Sequence, residues 1–560
     1  MQFGVFKAGE DVKCRRIWQR KWVIGAVLGA AAVAIVTANN VPVPADWPMF
    51  GQGPANTANN PTESAISIKN VAHLVTKWTV TTGGDVSARA AVVGGVAYFP
   101  DWGGNLWAVD ANSGKVIWSR QIGSYLGTSS TVVSRTSPAV LNGYVYIGTQ
   151  YGAYLLAINA SNGASVWKTQ LESADPYAII SASPAVVNGV VYTGVASLAE
   201  GASAYGITIS TNPGPRGSVV AVNAADGSIK WQRYTVPAGY TGGGVWGSNL
   251  VVDAARNTVY AGTGDNYTHP ASSAESASYD NFGDCVTANG GVLATAEQVC
   301  LSPNDYVDSM LALDATTGAV KWAQRLVTWK QQGVTDGSDD WNVDCAFGGS
   351  QCPTPPTGPD YDFGSAPNEV TFNTVKGPKT IIGAGQKSGI YYAMDPDTGA
   401  LLWQTQVGPG SSLGGMEWGS ASDGQRIYVS IANLNGISYP SPHQTWTAGS
   451  WAALDPGTGT ILWQTADPNG AIDIGPLAVA NGVVYAPSMA GAANAPTMLA
   501  LNAASGQILW QFAAGHSVNA GATIVNGIVY WGSGYAHLGI PGMTGSSKTG
   551  TFYAFTNNGN

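Results

Sequence analysis

The sequence predicts an all-β protein: a single eight-bladed β-propeller of four-stranded blades. Three observations support this prediction. The composition is rich in Gly (73 of 560 residues), Trp (20) and Tyr (24) but only 11% charged, whereas ordinary soluble domains are roughly 25% charged. A hairpin phrase recurs along the chain, and its last, incomplete copy is matched by a lone strand near the N-terminus. Short strands joined by tight turns explain the composition, and a closed ring explains the repeats.

The repeated phrase consists of Ala, one residue, Asp or Asn, three turn residues, Gly and, four positions later, Trp. It is written most fully from Ala312 to Trp322 as Ala-Leu-Asp-Ala-Thr-Thr-Gly-Ala-Val-Lys-Trp. Asp or Asn accepts backbone hydrogen bonds in a hairpin turn, Gly supplies a positive φ, and Trp is expected to pack on the next sheet. The complete copies end at Trp118, Trp167, Trp231, Trp322, Trp403, Trp463 and Trp510. We interpret these side chains, with Trp78, as structural.

A second hairpin phrase, apolar-x-Asn/Gly-Gly-x-Val/Ala-Tyr, lies between the copies, as at Val140 to Tyr146. Two hairpins make one four-stranded blade. The shortest interval between successive repeat Trp residues, from Trp463 to Trp510, gives the number of residues in a blade without insertions. Longer steps indicate insertions, at about residues 265–305 and 328–375. Since insertions in a propeller gather at one face, we expect these two to cover one mouth of the central channel.

The two ends of the chain are predicted to share one blade. An eighth copy of the phrase begins at Tyr553 and stops before its Trp, while the strand Leu74 to Trp78 has no turn before it. Pairing the two would close the ring and remove the open sheet edges that otherwise aggregate.

Residues 1–45 predict an export signal or N-terminal anchor, and residues 46–560 the propeller. A basic stretch from Lys13 to Lys21 precedes an uncharged run from Trp22 to Val36. This run is shorter than the about 20 apolar residues of a spanning helix, and V-x-A cleavage sites follow it. The sequence therefore predicts a periplasmic or secreted protein, with cleavage or retention of the segment left open. No membrane span beyond this segment is expected.

Several function classes are excluded by what the sequence lacks. The net charge of −9 and a pI near 5.0, with no Lys/Arg run outside the N-terminus, exclude nucleic acid as a partner. Hydrolase, nucleotide-binding and dinucleotide-binding motifs are missing, and so is the C-x-x-C-H sequence of covalent haem attachment.

The cysteines fit an oxidising compartment. Cys14 lies in the basic stretch and is expected to be lost, which leaves an even number: Cys285, Cys300, Cys345 and Cys352. Four cysteines permit three pairings, of which we expect the local ones, 285 with 300 and 345 with 352. A zinc site is the competing interpretation, but neither spacing is C-x-x-C and no His stands close.

Acidic and aromatic residues occur in segments that should face the central channel: Trp246, Asp265, Asn266, Asp344, Asp360 and Asp362. Carboxylates and amides that converge on a channel predict a site for a hard cation. The alternative is that Asp265 and Asp362 only cap turns.

From about Trp47 to Asn560 the chain resembles the eight-bladed quinoprotein alcohol dehydrogenases, which use pyrroloquinoline quinone (PQQ), and within them the polyvinyl-alcohol-dehydrogenase-like branch. The repeat phrase also occurs in non-catalytic propellers of the outer-membrane assembly type, so it indicates fold more than function. The segment Gly-Gly-Gly-Val-Trp246 resembles the one whose Trp forms the floor under the quinone. The segment Tyr-Ala-Gly-Thr-Gly-Asp265 resembles a metal-ligand segment that usually ends in Asn, which leaves open whether Asp265 or Asn266 coordinates.

The resemblance implies further site residues. Tyr-Asp362-Phe-Gly is similar to the family's W-D-aromatic-small-Gly phrase, so Asp362 is the implied catalytic base and a metal ligand. Glu200 is implied as another metal ligand. Lys387 precedes Ser-Gly-Ile-Tyr-Tyr-Ala-Met-Asp and matches the basic residue beside the quinone carbonyls. The adjacent Cys-Cys pair of several family members is absent.

Four channel residues resemble positions that hold quinone carboxylates and carbonyls: Arg135, Thr136, Ser137 and Ser181. For Arg135 the alternative is a salt bridge between blades.

The resemblance implies an exported dehydrogenase that oxidises an alcohol, secondary or polymeric, with PQQ and Ca²⁺. Because no haem motif is present, electrons are expected to pass to a separate cytochrome c or similar carrier. The position two residues after Asp362 holds Gly364 and not an additional Asp. Within the family, this absence favours calcium over a lanthanide. The alternatives are a non-catalytic scaffold propeller that binds a protein partner in the periplasm, and a lyase or hydrolase that uses the channel metal without quinone.

Overall fold

The computed structural model describes residues 46–199, 214–267, 302–326, 360–411, 413–440, 445–537, 542–546 and 548–557, together with short strands at 328–329 and 337–338. Eight antiparallel sheets of four strands each dominate this part of the chain. The prediction of an all-β, eight-bladed propeller is confirmed.

The strands of the blades, from innermost to outermost, have these bounds. Blade 1 consists of Ala91–Val93, Val96–Pro100, Asn105–Asp110 and Val116–Gln121; blade 2 of Ala139–Leu141, Tyr144–Gly148, Tyr154–Asn159 and Ser165–Gln170; blade 3 of Ala185–Val187, Val190–Ser197, Ser218–Asn223 and Ile229–Tyr234; blade 4 of Val251–Asp253, Thr258–Gly262, Ser309–Asp314 and Val320–Arg325. Blade 5 consists of Asn368–Thr374, Gly377–Gly385, Ile390–Met394 and Leu401–Gln406; blade 6 of Ala421–Ser422, Ile427–Ile431, Ser450–Leu454 and Ile461–Ala466; blade 7 of Ala478–Ala480, Val483–Pro487, Met498–Asn502 and Ile508–Phe512; blade 8 of Thr523–Val525, Ile528–Ser533, Gly550–Asn557 and Leu74–Thr82.

The remaining elements are short. They are the α-helix Ile122–Leu126, the 3-10 helix Val71–His73, and the two-residue strands Asn59–Asn60, Ala178–Ile179, Thr328–Trp329, Gly337–Ser338, Tyr439–Pro440 and Thr445–Trp446. None of the helices in the described ranges is long and apolar enough to span a membrane.

The ring is closed by the two ends of the chain, as predicted. Leu74–Thr82 pairs antiparallel with Gly550–Asn557, with Trp78 opposite Ala554. The innermost strand of blade 8 contacts that of blade 1, and the innermost strands of blades 1 to 7 contact one another in sequence order. Blade 7 meets blade 8 where the Trp510 indole donates to the carbonyl of Leu74, 2.9 Å away.

The repeated Trp side chains join each blade to the next. The Trp322 indole N–H, for example, donates to the carbonyl of Pro396 in the following blade's turn, at 3.0 Å. The same bond is made by Trp78, Trp118, Trp167, Trp231, Trp403, Trp463 and Trp510. The turn glycine adopts the predicted positive φ, which is 73° at Gly399. The structural interpretation of these Trp residues is therefore confirmed.

The segment from Trp47 to Asn60 passes around the inside of the ring against the innermost strands, a feature that sequence patterns did not predict. Its carbonyls accept hydrogen bonds from inner-strand amides of several blades, including Pro48 from Val140 and Pro54 from Val252. The carbonyls of residues 55, 57 and 58 do the same for blades 5, 6 and 7. The inner sheet edges are thus capped by this segment.

Candidate functional site

The predicted site residues lie in connections that open on one face of the ring. In a four-stranded antiparallel blade, the connection from the second to the third strand and the connection to the next blade emerge at the same end. Trp246 precedes blade 4, Asp362 precedes blade 5 and Arg135 precedes blade 2, while Asp265 and Lys387 follow second strands. Five residues that are far apart in sequence therefore share one face.

A buried cluster of carboxylates forms the centre of the site. Carboxylate oxygens of Asp265, Asp360 and Asp362 lie within 4.8 Å of one another. The Lys387 ammonium lies 2.6 Å from Oδ1 of Asp360 and 2.5 Å from Oδ1 of Asp362. Asp265 and Asp362 are only 2% and 3% exposed. One lysine for three carboxylates leaves this cluster with excess negative charge, which suits a hard cation.

Asp362 is held in its ionised form. Burial raises the pKa of this carboxyl, but the charge of Lys387 and the hydrogen bonds from neighbouring side chains outweigh burial and hold the pKa below its usual range. An ionised, buried carboxylate has the protonation state that a general base needs.

Trp246 orients this carboxylate. Its indole Nε1 donates a hydrogen bond of 2.5 Å to Oδ2 of Asp362, and the Lys387 ammonium lies 5.1 Å from the centre of the indole ring. The close approach depends on Gly264, since a Cβ there would lie 2.4 Å from Oδ2 of Asp362 and 3.1 Å from the Trp246 nitrogen.

Trp418, which sequence reasoning missed, stands beside Trp246. The two rings meet edge to face with centroids 5.4 Å apart. Trp418 has a φ of +58°, a strained conformation for a bulky residue and one that clusters at functional sites. A sequence signal did exist, because Trp-Gly-Ser occurs at both 246–248 and 418–420.

Arg135 reaches across the axis to Trp418. Its guanidinium carbon lies 4.3 Å from the centre of the Trp418 ring and 5.4 Å from that of Tyr535. Arg135 enters blade 2 and Trp418 enters blade 6, so they come from opposite sides of the ring. Within the described residues Arg135 forms no salt bridge between blades.

A small polar cavity on the axis continues from the site. Its wall includes Arg135, Arg89, Ser137, Ser181, Ser248 and Asn519. Four buried wall atoms have no hydrogen-bond partner within the described residues: Nε of Arg89, Oγ of Ser248, Oδ1 of Asn519 and Nε1 of Trp418. Two guanidinium groups and unsatisfied polar atoms in one wall suit a polar, anionic ligand.

The other predicted residues differ in what they contact. Ser181 donates to the carbonyl of Trp246 at 3.2 Å. The Thr136 hydroxyl accepts the Gly148 amide at 3.0 Å and lies 2.9 Å from the Ser134 hydroxyl, so it supports blade 2.

Asp265 and Asn266, the two alternatives for the metal ligand, have different neighbours. Asp265 belongs to the carboxylate cluster, whereas the Asn266 amide donates to Asp305 at 2.7 Å. Glu200 and the cysteines Cys285, Cys300, Cys345 and Cys352 lie outside the described residues.

Comparisons with known proteins match most of the chain. The PQQ_2 family model, described as outer membrane protein assembly factor BamB, matches residues 75–324 and 386–550. A polyvinylalcohol dehydrogenase of Sphingopyxis sp. (strain 113P3) is 27% identical over 95% of this chain and 79% of its own length.

Solved structures share the fold. The quinohemoprotein alcohol dehydrogenase from Comamonas testosteroni superposes with a TM-score of 0.64 at 19% identity, covering 92% of this chain and 81% of that one. A europium-containing methanol dehydrogenase gives 0.65 at 17% identity, covering 92% and 98%. The chain therefore belongs to the PQQ_2 family, and its similarity to polyvinylalcohol dehydrogenases and quinoprotein alcohol dehydrogenases identifies it as an oxidoreductase.

Proposed function

We propose that this chain is an exported dehydrogenase that oxidises an alcohol, secondary or polymeric, with PQQ and Ca²⁺. The contact between Trp246 and Asp362, beside Lys387 and the other carboxylates, carries the proposal. It combines an aromatic surface, an ionised base and a cation-binding cluster at one point. A scaffold propeller has no need of this combination.

The residues that line the axial cavity suit a planar quinone that bears carboxylates. Arg135 and the polar atoms of Ser248 and Asn519 are available to hold carboxylates and carbonyls, and the family resemblance implies that the ring of Trp246 would form the floor under the quinone. The cavity itself measures about 20 Å³, so the quinone enters only when the side chains of Arg135 and Trp418 separate.

The cluster of Asp265, Asp360 and Asp362 fits Ca²⁺, which takes six to eight oxygen ligands. Glu200 is the further ligand that the family resemblance implies. We assign Asp265 to the metal because its carboxylate belongs to this cluster. Oδ1 of Asn266, which accepts no hydrogen bond within the described residues, is available as a further ligand.

When bound, PQQ supplies the hydride acceptor. Asp362 takes the proton of the alcohol hydroxyl, and the Trp246 hydrogen bond fixes the orientation of that carboxylate. Lys387 supplies positive charge beside the reacting oxygen. Burial of Asp362 and Lys387, both 3% exposed, keeps water away from this step.

Export and the electron acceptor belong to the same proposal. The signal-like residues 1–45 support export, and a separate cytochrome c or similar carrier is the acceptor that we propose from the family resemblance. Fractionation of cells that produce the full chain tests export, and accumulation in the cytoplasm would contradict it.

The decisive experiment adds PQQ and Ca²⁺, singly and together, to purified protein and follows dye reduction with primary, secondary and polymeric alcohols. We expect turnover only when both are present. The Asp362→Asn variant should bind PQQ, as measured by fluorescence titration, and lose activity by about 10²- to 10⁴-fold. Full turnover by this variant would remove Asp362 from the mechanism, and the absence of PQQ binding by the wild type would favour a scaffold.

A further inference from the structure

A second group of buried carboxylates lies where the chain passes from blade 6 to blade 7. Asp467 follows the outermost strand of blade 6, and Asp473 precedes the innermost strand of blade 7. The two residues are 4% and 0% exposed. We call them the Asp467–Asp473 pair, and neither belongs to the carboxylate cluster at Asp362.

The two side chains are neighbours beside Gly449, which immediately precedes the third strand of blade 6. The Asp467 amide donates to the Gly449 carbonyl at 3.0 Å, and a Cβ on Gly449 would lie 2.8 Å from Oδ2 of Asp473. Burial, and then the charge of Asp467 and a hydrogen bond to it, raise the pKa of Asp473 well above its usual value. The two carboxyl groups therefore repel each other when both are ionised.

Three of the four carboxylate oxygens in this pair have no hydrogen-bond donor in the part of the chain that the structure describes. Oδ1 of Asp467 accepts the amides of Asn469 and Ala471. Oδ2 of Asp467 and both oxygens of Asp473 are buried without a partner. Native proteins rarely leave buried polar atoms in this state unless water or an ion satisfies them. The wholly buried Asp473 carboxylate thus presents two free oxygens beside Asp467.

The pair also lacks a counter-charge. Every ion pair formed among the described residues involves other carboxylates, whereas Lys387 lies against two members of the cluster at Asp362. Adjacent buried carboxylates are unfavourable because the protein interior screens their repulsion poorly. A proton or a bound cation can relieve this repulsion.

We infer that the Asp467–Asp473 pair binds Ca²⁺, which fastens blade 6 to the connection that leads into blade 7. Carboxylate oxygens suit this hard cation, and water and backbone carbonyls can complete its six to eight ligands. Residues 469–472, between the two carboxylates, line a groove on the surface, so solvent lies close to the pair. The site goes beyond the proposed function, since it has no part in alcohol oxidation.

Without Ca²⁺, only a proton on Asp473 relieves the repulsion. The pH dependence that Asp473 gives to stability therefore belongs to the protein freed of divalent cations. Metal ions and protons compete for the same carboxylate oxygens.

Calorimetry with Ca²⁺, on the full chain freed of divalent cations by a chelator, tests the inference without turnover. Asp473→Asn and Asp467→Asn should each bind one Ca²⁺ fewer than the wild type. Asp265→Asn should lose the other Ca²⁺, and combining it with Asp473→Asn should lose both. The control is Asp397→Asn, at a side chain that is 67% exposed, and it should match the wild type. If Asp265→Asn matches the wild type while Asp473→Asn loses a cation, the proposed cluster fails and this site stands.

Thermal unfolding gives a second readout. A cation that binds only the folded state raises Tm, so Ca²⁺ at about 100 times its Kd should raise the Tm of Asp265→Asn by about 2–3 °C at neutral pH. Adding Asp473→Asn should abolish this rise. Asn keeps the shape of the side chain and removes the repulsion, so the variant is expected to fold.

Two results would overturn the inference. One is that the wild type and Asp473→Asn bind the same number of Ca²⁺ ions. The other is that Ca²⁺ leaves the Tm of Asp265→Asn unchanged. In either case a proton alone neutralises the pair.

Discussion

Nε1 of Trp246 donates a 2.5 Å hydrogen bond to Oδ2 of Asp362, although 116 residues separate the two in sequence. The bond leaves Oδ1 of Asp362 facing the Lys387 ammonium, 2.5 Å away. Each carboxylate oxygen therefore has a different neighbour. This arrangement fixes the rotation of the proposed base before any substrate binds.

Replacing Trp246 by Phe keeps an aromatic ring and removes this hydrogen bond. Hydrogen bonds to charged groups contribute about 1.5–3 kcal/mol, so kcat should fall about 10- to 150-fold with PQQ affinity little changed. Steady-state dye reduction and quinone titration measure the two quantities. Trp107→Phe is the control, because it removes a Trp-to-Asp bond of 2.8 Å, to Asp101, outside the site. Equal loss of kcat in both variants would contradict an orienting role.

Lys387→Gln should change metal binding and turnover in opposite directions. Like charges about 4 Å apart repel by about 4 kcal/mol at an effective dielectric constant of about 20. Removing the lysine charge should therefore tighten Ca²⁺ binding by about tenfold or more, and kcat should fall because the Lys387 charge no longer stands beside the reacting oxygen. Isothermal calorimetry with Ca²⁺ and steady-state kinetics test this. The control is Lys321→Gln, because the Lys321 ammonium donates to two backbone carbonyls and to the Thr258 hydroxyl; this variant should match the wild type. Weaker Ca²⁺ binding in Lys387→Gln would refute the prediction.

The fold was predictable because each blade repeats one local physical solution. A turn with Gly and an outgoing strand with Trp form the same hairpin wherever they occur. The number of blades and the ring closure could therefore be predicted from the sequence. Asp265, Asp362, Lys387 and Trp246 were also identified by their motifs, and the structure brings them together. Their roles remain proposals.

The contacts that sequence reasoning did not assign form only when the closed ring brings distant segments together. Asp360 was noted as an acidic channel residue, but its ion pair with Lys387 depends on a loop conformation that no local pattern specifies. Trp418 faces Arg135 from the opposite side of the ring. The segment from Trp47 to Asn60 is held largely by backbone hydrogen bonds, which any sequence can make, so no side-chain pattern marks it.

A methyl group at a repeated turn should destabilise the propeller more than one at a simple hairpin. At Gly399 φ is +73°, and a Cβ would lie 2.6 Å from the ring of Trp322. Gly143 has a φ of +80° with no atom near that position. We expect Gly399→Ala to lower the free energy of unfolding by about 2–4 kcal/mol, from strain plus overpacking, and Gly143→Ala by about 1 kcal/mol, from strain alone. Urea denaturation compares them, and equal losses would show that the Trp contact contributes nothing.

Asp473 should make stability depend on pH. Burial, and then repulsion from Asp467, raise the pKa of Asp473 well above its usual value. The folded protein therefore holds a proton that the unfolded chain releases near pH ~4. The resulting stability is complete below that pH and is lost as the pH rises through the raised pKa, by up to ~1.4 kcal/mol per pH unit.

Asp473→Asn removes this titration. Its Tm should exceed that of the wild type at neutral and alkaline pH, and the difference should shrink as the medium becomes acidic. Asp397→Asn, at a carboxylate whose side chain is 67% exposed, should follow the wild-type curve in parallel. If Tm of Asp473→Asn also ran parallel to that of the wild type across pH, the pKa of Asp473 would be the same in the folded and unfolded states, and the prediction would fail.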